Sequence, residues 1–528
     1  MNTFIDHDRQ PMNWVGDWAG RRRALSPQRL AVIDANNDRW LSFADLDGLA
    51  SRRARWLRDR HSVGPGDVLA LISDNRLEAL ELFLACGKLG AVVAPISHRL
   101  SVAEAGSLLN RLQPVGLFHD TGQAAYVEAL REVAPSRPAI SLSATNDLDG
   151  SSPEPNQSDG LNQPLALADT AMIVHTGGST GLPKLCRISH RQMVWNAVEL
   201  LAASPDGLGN RRELVLFPFF HIGGWNTVVP VLYGGGCVVL QARFDPEAAL
   251  ACIPRYQVNH FGAVEAMLQA MSRSPTFADT DLTSVMGITT AGGPCAPESM
   301  DPFLQRGIPV SQAYGLTEAG PSNFVRSRDG ESLSHLRATH RRVGGGLFHC
   351  DFRIVAPGSD HPVDAGQSGE LQLRSPHTFE GYIDDEAATT ERLTHDGWVR
   401  TGDMARTVGT DQVEILGRLD NVILSGGENI AAEEVEAALQ GHPRVTGALV
   451  FGVPDPHWGQ RPVAWVTIAD DSELSAAELS AWLRVRLAHY KCPAAIRLVN
   501  ALPLTGAGKL DRRAAQQAHL EIPQETHQ

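Results

Sequence analysis

Residues 176 to 184 read Thr176-Gly177-Gly178-Ser179-Thr180-Gly181-Leu182-Pro183-Lys184. Three glycines let a backbone turn sharply and bring its N–H groups against an anion. The Ser179 and Thr180 hydroxyls and the Lys184 ammonium add donors suited to phosphate oxygens. The spacing departs from the common phosphate loop GxxxxGK[ST], because Pro183 precedes the lysine and Leu185 follows it. A mobile surface loop could have the same composition, so this segment alone leaves that reading open.

Five further segments carry chemistry-bearing side chains. Gln312-Ala313-Tyr314-Gly315-Leu316-Thr317-Glu318 places a ring, a hydroxyl and a carboxylate close together, although Glu318 alone would pass for a solvated acid. Phe217-Pro218-Phe219-Phe220-His221-Ile222-Gly223-Gly224 holds one histidine in an apolar run, more often a packed core residue than a ligand. Ala291-Gly292-Gly293-Pro294 follows the strand-like run 285–290 and reads by itself as a strand-to-helix turn. Ser425-Gly426-Gly427-Glu428-Asn429-Ile430 is a second glycine turn, ending in a cap-like asparagine before a helical stretch over 431–439. Leu502-Pro503-Leu504-Thr505-Gly506-Ala507-Gly508-Lys509-Leu510 sets Lys509 on a glycine-flanked loop, whereas exposed lysines are usually solvated and inert.

The elements that must position these residues alternate. Val68–Ile72 precedes an amphipathic segment over Leu77–Leu89, and short apolar runs recur at 91–96 and 115–118. Such alternation predicts α/β layering with largely parallel strands. Residues 141–168 are rich in Ser, Asn, Asp, Pro and Gly and read as a loop. Composition changes again near Gly417-Arg418-Leu419-Asp420, and about a hundred residues beyond it, with strand-like 447–453 and helical 476–487, suffice for a small separate domain.

At 528 residues the chain needs two or more domains. A formal net charge of −14 argues against broad binding to nucleic acid or anionic membrane. The seven scattered cysteines form no CxxC pair, which fits a reducing cytoplasm better than a disulfide framework or zinc site. No apolar stretch reaches the roughly 18 residues that span a bilayer, and the N-terminus lacks a signal-peptide core.

Taken in order, from about residue 20 to about residue 515, these motifs resemble the adenylate-forming superfamily: acyl- and aryl-CoA synthetases, peptide-synthetase adenylation domains and firefly luciferase. The resemblance implies an α/β fold with a large N-terminal domain, 1–419, of layered α/β subdomains plus a β-rich portion. A small mobile α+β C-terminal domain, 420–528, would carry the catalytic lysine and pivot at Asp420. The implied cofactors are ATP, Mg²⁺ and coenzyme A. Thr176, Gly177, Gly178, Ser179, Thr180, Gly181 and Lys184 would hold phosphate. The backbone at Gly292 and Gly293 would lie along adenine, with Tyr314 against the ring. Thr317 would reach the α-phosphate, and Glu318 would hold Mg²⁺, a hard cation that takes carboxylate plus phosphate oxygens. Thr401-Gly402-Asp403 resembles the ribose turn, where an ionised carboxylate suits a vicinal diol, and Arg418 adds a cation nearby. Ser425, Gly426 and Gly427 would line the pantetheine tunnel. Trp458 and Tyr490 match positions that cover the coenzyme A nucleotide in some aryl-CoA ligases, although a lone Trp or Tyr is usually a packing residue. Cys492 and Ala494 depart from the basic residues found there in those ligases.

By the same resemblance His221 lies beside the substrate carboxylate. The acyl pocket would include His221, Gly223, Gly224, Trp225, Ala263, Val264 and Ala313, a mostly small or apolar wall suited to a fatty, alicyclic or aromatic acid. Glu265 stands where many relatives carry proline; it either meets a polar or cationic substrate group or opens a surface-facing helix. The implied activity is an acid–thiol ligase: acyl-AMP forms with Lys509, and coenzyme A then takes the acyl group after the C-terminal domain rotates. The partners are a small carboxylic acid and coenzyme A, and a homodimer is compatible. The alternative is an enzyme that loads a carrier protein. A luciferase-like oxygenase ranks lower. A non-catalytic nucleotide-binding regulator would need losses at Lys184, Glu318, Asp403 or Lys509, and none is lost.

Overall fold

The computed structural model describes residues 7–134, 137–145, 160–176, 183–204, 207–327, 330–425, 428–456, 458–469, 474–487, 489–504 and 510–521. The chain divides into two compact units: Met1–Phe352 with Leu373–Val399, and Arg353–Gln372 with Arg400–Gln528.

The first unit holds two sheets. In the eight-stranded sheet, Leu30–Asp34, Arg212–Val215, Cys237–Leu240, His260–Ala263, Gly287–Thr290 and Val310–Leu316 run parallel, with antiparallel Arg39–Ser42 and Gly320–Val325 at the two edges. In the six-stranded sheet, Val68–Ile72, Val92–Pro95, Gly116–His119, Ala139–Ser141 and Thr170–Thr176 run parallel, and Lys184–Ser189 closes one edge antiparallel. Strands such as Val92–Pro95 and Cys237–Leu240 are buried along their whole length, as parallel strands covered on both faces must be. One core joins residues of both sheets (Val32, Val238, Leu69, Val93) with the helices Phe43–His61 and Leu77–Leu89. Ser42 and Asp45 close the first of these helices with a reciprocal capping box.

The second unit carries the hairpin Val399–Val408 with Gln412–Arg418, and then a sheet of Val422–Ser425, Glu428–Ala431, Val445–Asp455, Gly459–Ile468 and Ala495–Leu498. Helices Ala432–Gln440, Ala476–Arg484 and Arg512–Leu520 accompany it. The expected cap at Asn429 is not the observed one: Asn429 lies within the strand Glu428–Ala431, and the helix starts after Ala431 without a side-chain cap. The strand continues because its backbone groups are taken by pairing with Val422–Ser425.

No helix among the described residues is long and apolar enough to cross a membrane. All seven cysteines are free and six are buried. Burial pushes Cys237 and Cys350 up to about 12 and Cys252 up to about 11, which leaves these thiols protonated and inert.

Burial also pushes His175, His190 and His377 down to about 4. The unfolded chain protonates these imidazoles near 6.5 and the folded chain only near 4, so stability is complete above 6.5 and falls through that window. At pH 5 each should cost about 2 kcal/mol. The denaturant midpoint should therefore drop clearly between pH 7.5 and pH 5; an unchanged midpoint would contradict the burial.

Candidate active site

Four neighbouring parallel strands, in the order Val310–Leu316, Gly287–Thr290, His260–Ala263 and Arg212–Val215, end on the same edge of the eight-stranded sheet. Their carboxyl ends deliver segments 313–318, 291–294, 263–264 and 217–224 side by side. Ligands of open parallel sheets bind beyond such ends. Gly292 takes φ +80, a left-handed conformation that favours glycine, and Gly293 presents its carbonyl to Gln312 Nε2 at 2.8 Å. Tyr314 is half-buried, its ring edge-on to Phe324 at 6.0 Å, and Ala313 is half-buried beside it. A side chain at Gly315 would meet the Pro321 carbonyl at 2.3 Å, so the hairpin needs glycine here.

Thr176 and Lys184 face each other across the antiparallel pair Thr170–Thr176 and Lys184–Ser189. The loop joining them, with Gly177, Gly178, Ser179, Thr180 and Gly181, lies outside the described residues. The outer edge of Lys184–Ser189 is extended by segment 381–383: Arg187 N–H donates to Gly381, Ile383 N–H donates to Leu185, and Cys186 bridges Tyr382. This brings Tyr382 into the site. Its hydroxyl donates to Glu318 Oε1 at 2.6 Å, and Lys184 Nζ stands 5.0 Å from its ring centroid. Burial first, and then the Glu318 charge, push the Tyr382 phenol well up, so it serves as a donor and not as a base. Gln192 Nε2 holds the Thr317 carbonyl at 2.8 Å. Sequence reasoning missed Tyr382; the signal was a Gly-Tyr pair whose glycine, Gly381, takes φ +113.

His221 is exposed and starts the helix Ile222–Gly234, with its ring 4.8 Å from Phe220. A Cβ at Gly224 would lie 2.5 Å from the Pro218 carbonyl, so glycine lets the helix fold back on the segment before it. Trp225, expected on the pocket wall, is instead a core residue at 1% exposure. It stacks on Phe219, and its indole N–H donates to the Phe219 carbonyl at 2.7 Å. It supports the His221 segment from below.

Asn75 does the same from the other sheet. This residue, 2% exposed, donates to the Phe217 carbonyl (2.9 Å) and accepts from the Phe219 N–H (2.8 Å). Sequence reasoning missed it; the signal was a polar triplet, Ser73-Asp74-Asn75, at the carboxyl end of an apolar strand. Asn75→Ala should cost about 2 kcal/mol, because two buried backbone groups lose their partner. It should also raise the KM for the acid more than that for ATP; equal shifts would deny Asn75 this positioning role.

Val264 precedes the helix Glu265–Arg273 as its N-cap. Glu265 opens its helix, one of the two roles considered for it, and its side chain also serves the next one: its Oε1 accepts from Ala296 N–H (2.9 Å) and Ser299 Oγ (2.8 Å) at the start of the helix Pro297–Leu304. A carboxylate at a helix start satisfies open N–H groups and favours the helix dipole.

In the second unit, Asp403 and Arg418 are cross-strand partners, with Arg418 Nη1 at 3.2 Å from Asp403 Oδ1 and 3.1 Å from the Thr401 carbonyl. Thr401 is fixed by its hydroxyl bond to Leu371 (2.6 Å), and Glu370 accepts from Gly402 N–H (3.1 Å). Asp420 is exposed on the turn Leu419–Asn421, 3.6 Å from Arg418. Ser425 pairs with Gly459, and Gly426 and Gly427 lie outside the described residues, as does Lys509. Trp458 and Tyr490 are 47% and 43% exposed, more than packing residues of their size usually are.

The chain belongs to the AMP-binding enzyme family: that family's pattern matches residues 20–383, and the AMP-binding enzyme C-terminal domain matches residues 434–509. It is 36% identical to a feruloyl-CoA synthase of Amycolatopsis sp over 94% of this chain and 97% of the relative. It is 32% identical to an indoleacetate–CoA ligase of Aromatoleum aromaticum over 95% and 98%. Among solved structures it resembles o-succinylbenzoate CoA synthetase from Bacillus subtilis in complex with the acyl-adenylate intermediate OSB-AMP, at TM-score 0.82 and 28% identity over 96% of this chain and 98% of that one. The same synthetase in complex with ATP and magnesium ion matches equally, at TM-score 0.82 and 28% identity over 95% and 99%. The fold class expected from the motifs is therefore the one observed, and the chain is an AMP-forming acid–thiol ligase.

Proposed function

We propose that this ligase activates an aromatic carboxylic acid as its acyl-adenylate and transfers the acyl group to coenzyme A, releasing AMP and pyrophosphate. The observation that carries the reading is the Lys184–Tyr382–Glu318 line beside Thr317. It sets an ammonium and a carboxylate on either side of a phenol at the foot of the phosphate hairpin. The full-length likeness to aryl-CoA ligases supports the aromatic class of acid.

Mg²⁺ fits this donor set. No three acidic, histidine or cysteine side chains gather among the described residues. The ion would therefore have one protein carboxylate, Glu318, and complete its shell with phosphate oxygens and water. When bound it offsets charge on the phosphates. The chain's own residues do the rest: Thr317 and Lys184 donate to phosphate oxygens, and Tyr382 fixes Glu318. Asp403 accepts from the ribose diol, His221 lies beside the substrate carboxylate, and Lys509 donates to the oxygens that bear the developing charge. The acid's carboxylate oxygen attacks the α-phosphorus and pyrophosphate leaves. The thiol sulfur of coenzyme A then attacks the acyl carbon and AMP leaves, after a turn about Asp420 has replaced the Lys509 loop with segment 425–430.

The acceptor is tested by supplying Mg-ATP and a panel of aromatic acids with either coenzyme A or an acyl-carrier protein, and weighing the thioester. Acyl-CoA is expected; a thioester formed on the carrier alone would overturn the acceptor assignment.

A further inference from the structure

The helix His190–Ala202 follows directly on the strand Lys184–Ser189, and its first turn sends side chains to two other segments of the site. Ser189 caps the helix: its Oγ accepts from the Gln192 N–H (3.3 Å) and donates to Glu380 Oε1 (3.1 Å). Arg191 Nη2 donates to the same Glu380 oxygen at 2.7 Å and to the Thr378 carbonyl at 3.4 Å. The Glu380 N–H in turn donates to the Arg187 carbonyl (3.2 Å). Gln192, 1% exposed, reaches the other way and holds the Thr317 carbonyl at 2.8 Å. Its Oε1 has no partner among the described residues, so its amide acts through that one donated bond.

The two segments held in this way meet each other at two points. Phe379 N–H donates to the Glu318 carbonyl (2.9 Å), and the Tyr382 hydroxyl donates to Glu318 Oε1 (2.6 Å). Glu318 and Tyr382 are 64 positions apart, so nothing local fixes the phenol against the carboxylate. What fixes it is the common reference of both segments, the stretch 184–192, which also carries Lys184. Glu318 is 7% exposed. A carboxylate so enclosed presents its second oxygen in the direction set by whatever holds its backbone and its first oxygen. The Arg191 and Glu380 side chains are themselves 24% and 21% exposed. A partly solvated pair of this kind contributes little to folding, so a chain that loses it should still fold.

We infer that Arg191 and Gln192 are positioning residues for the magnesium carboxylate. Gln192 sets the backbone of 317–318, and Arg191, through Glu380, sets the Tyr382 phenol that orients Glu318. Both act through other residues. The inference rests on the proposal that Glu318 holds Mg²⁺. Groups that orient a metal-binding side chain typically change metal affinity by about 10–100-fold when they are removed, although they never contact the ion.

Calorimetric titration with α,β-methylene-ATP, which cannot release pyrophosphate, tests this without turnover. It reads the number of nucleotide sites and the magnesium concentration that half-saturates them. In Arg191→Met and in Gln192→Leu that concentration should rise by about 10-fold or more, with the number of sites kept. Arg191→Met, at a partly exposed position, decides the matter should Gln192→Leu fail to fold. A purely structural role would lower the number of sites and leave the magnesium requirement of the rest as in the unaltered enzyme, and that result overturns the inference. Glu318→Gln is the reference. If it raises the magnesium requirement and neither positioning variant does, this inference alone falls. If Glu318→Gln does not raise it either, the metal assignment falls and this inference with it.

Discussion

Lys509→Ala is expected to slow acyl-adenylate formation by roughly 10²–10³-fold while leaving thioester formation from a supplied acyl-adenylate nearly intact. Two anions must meet in the first half-reaction, the acid's carboxylate and the α-phosphate, and negative charge builds as pyrophosphate departs. A preorganised ammonium group aimed at that charge contributes more in a water-poor site than it would in solution. In the second half-reaction a thiol attacks the acyl carbon with AMP as the leaving group, and in the proposed mechanism the lysine loop would have given way to segment 425–430. The two rates are read separately by ATP–pyrophosphate exchange and by consumption of synthetic acyl-AMP with coenzyme A. Equal losses in both would refute the division of labour between the lysine loop and the glycine turn.

Glu318→Gln should be the other severe change, again of the order of 10³ in adenylation, since it removes the only carboxylate proposed for the metal. The amide can still accept from the Tyr382 hydroxyl, so the 2.6 Å contact can survive while the charge is gone. The activity that remains should require more magnesium for half-saturation. Tyr382→Phe makes the complementary change: the carboxylate stays, but it loses its orienting donor and a buried partner. It should have a smaller effect than Glu318→Gln. If Glu318→Gln retains full activity at low magnesium, the carboxylate does not hold the ion.

The sequence made the alternation of strands and helices readable because parallel strands buried on both faces are continuous apolar runs, as in Val68–Ile72. It made the segments at the strand ends readable because glycines, hydroxyls and charged groups interrupt those runs at fixed places. Side-chain partnerships between distant segments left no local trace. Tyr382 reaches Glu318 only because segment 381–383 pairs with the edge of Lys184–Ser189. Asn75 reaches the His221 segment from a different sheet. Glu265 opens its own helix, one of the two readings the sequence allowed, and also serves the next helix through an oxygen that accepts from Ala296 and Ser299, a bond no local pattern announces. Trp225 directly follows the apolar motif that carries His221, and its ring is buried in the core.

The most direct test of the adenylate route is a single-turnover reaction with magnesium, α-labelled ATP and an aromatic acid, one aliquot quenched before coenzyme A is added and a second given coenzyme A unquenched. The account predicts that labelled acyl-AMP accumulates with one pyrophosphate per adenylate, and that added coenzyme A converts it to acyl-CoA and AMP. Release of ADP and inorganic phosphate, or acyl-CoA formed without a labelled adenylate, would contradict it.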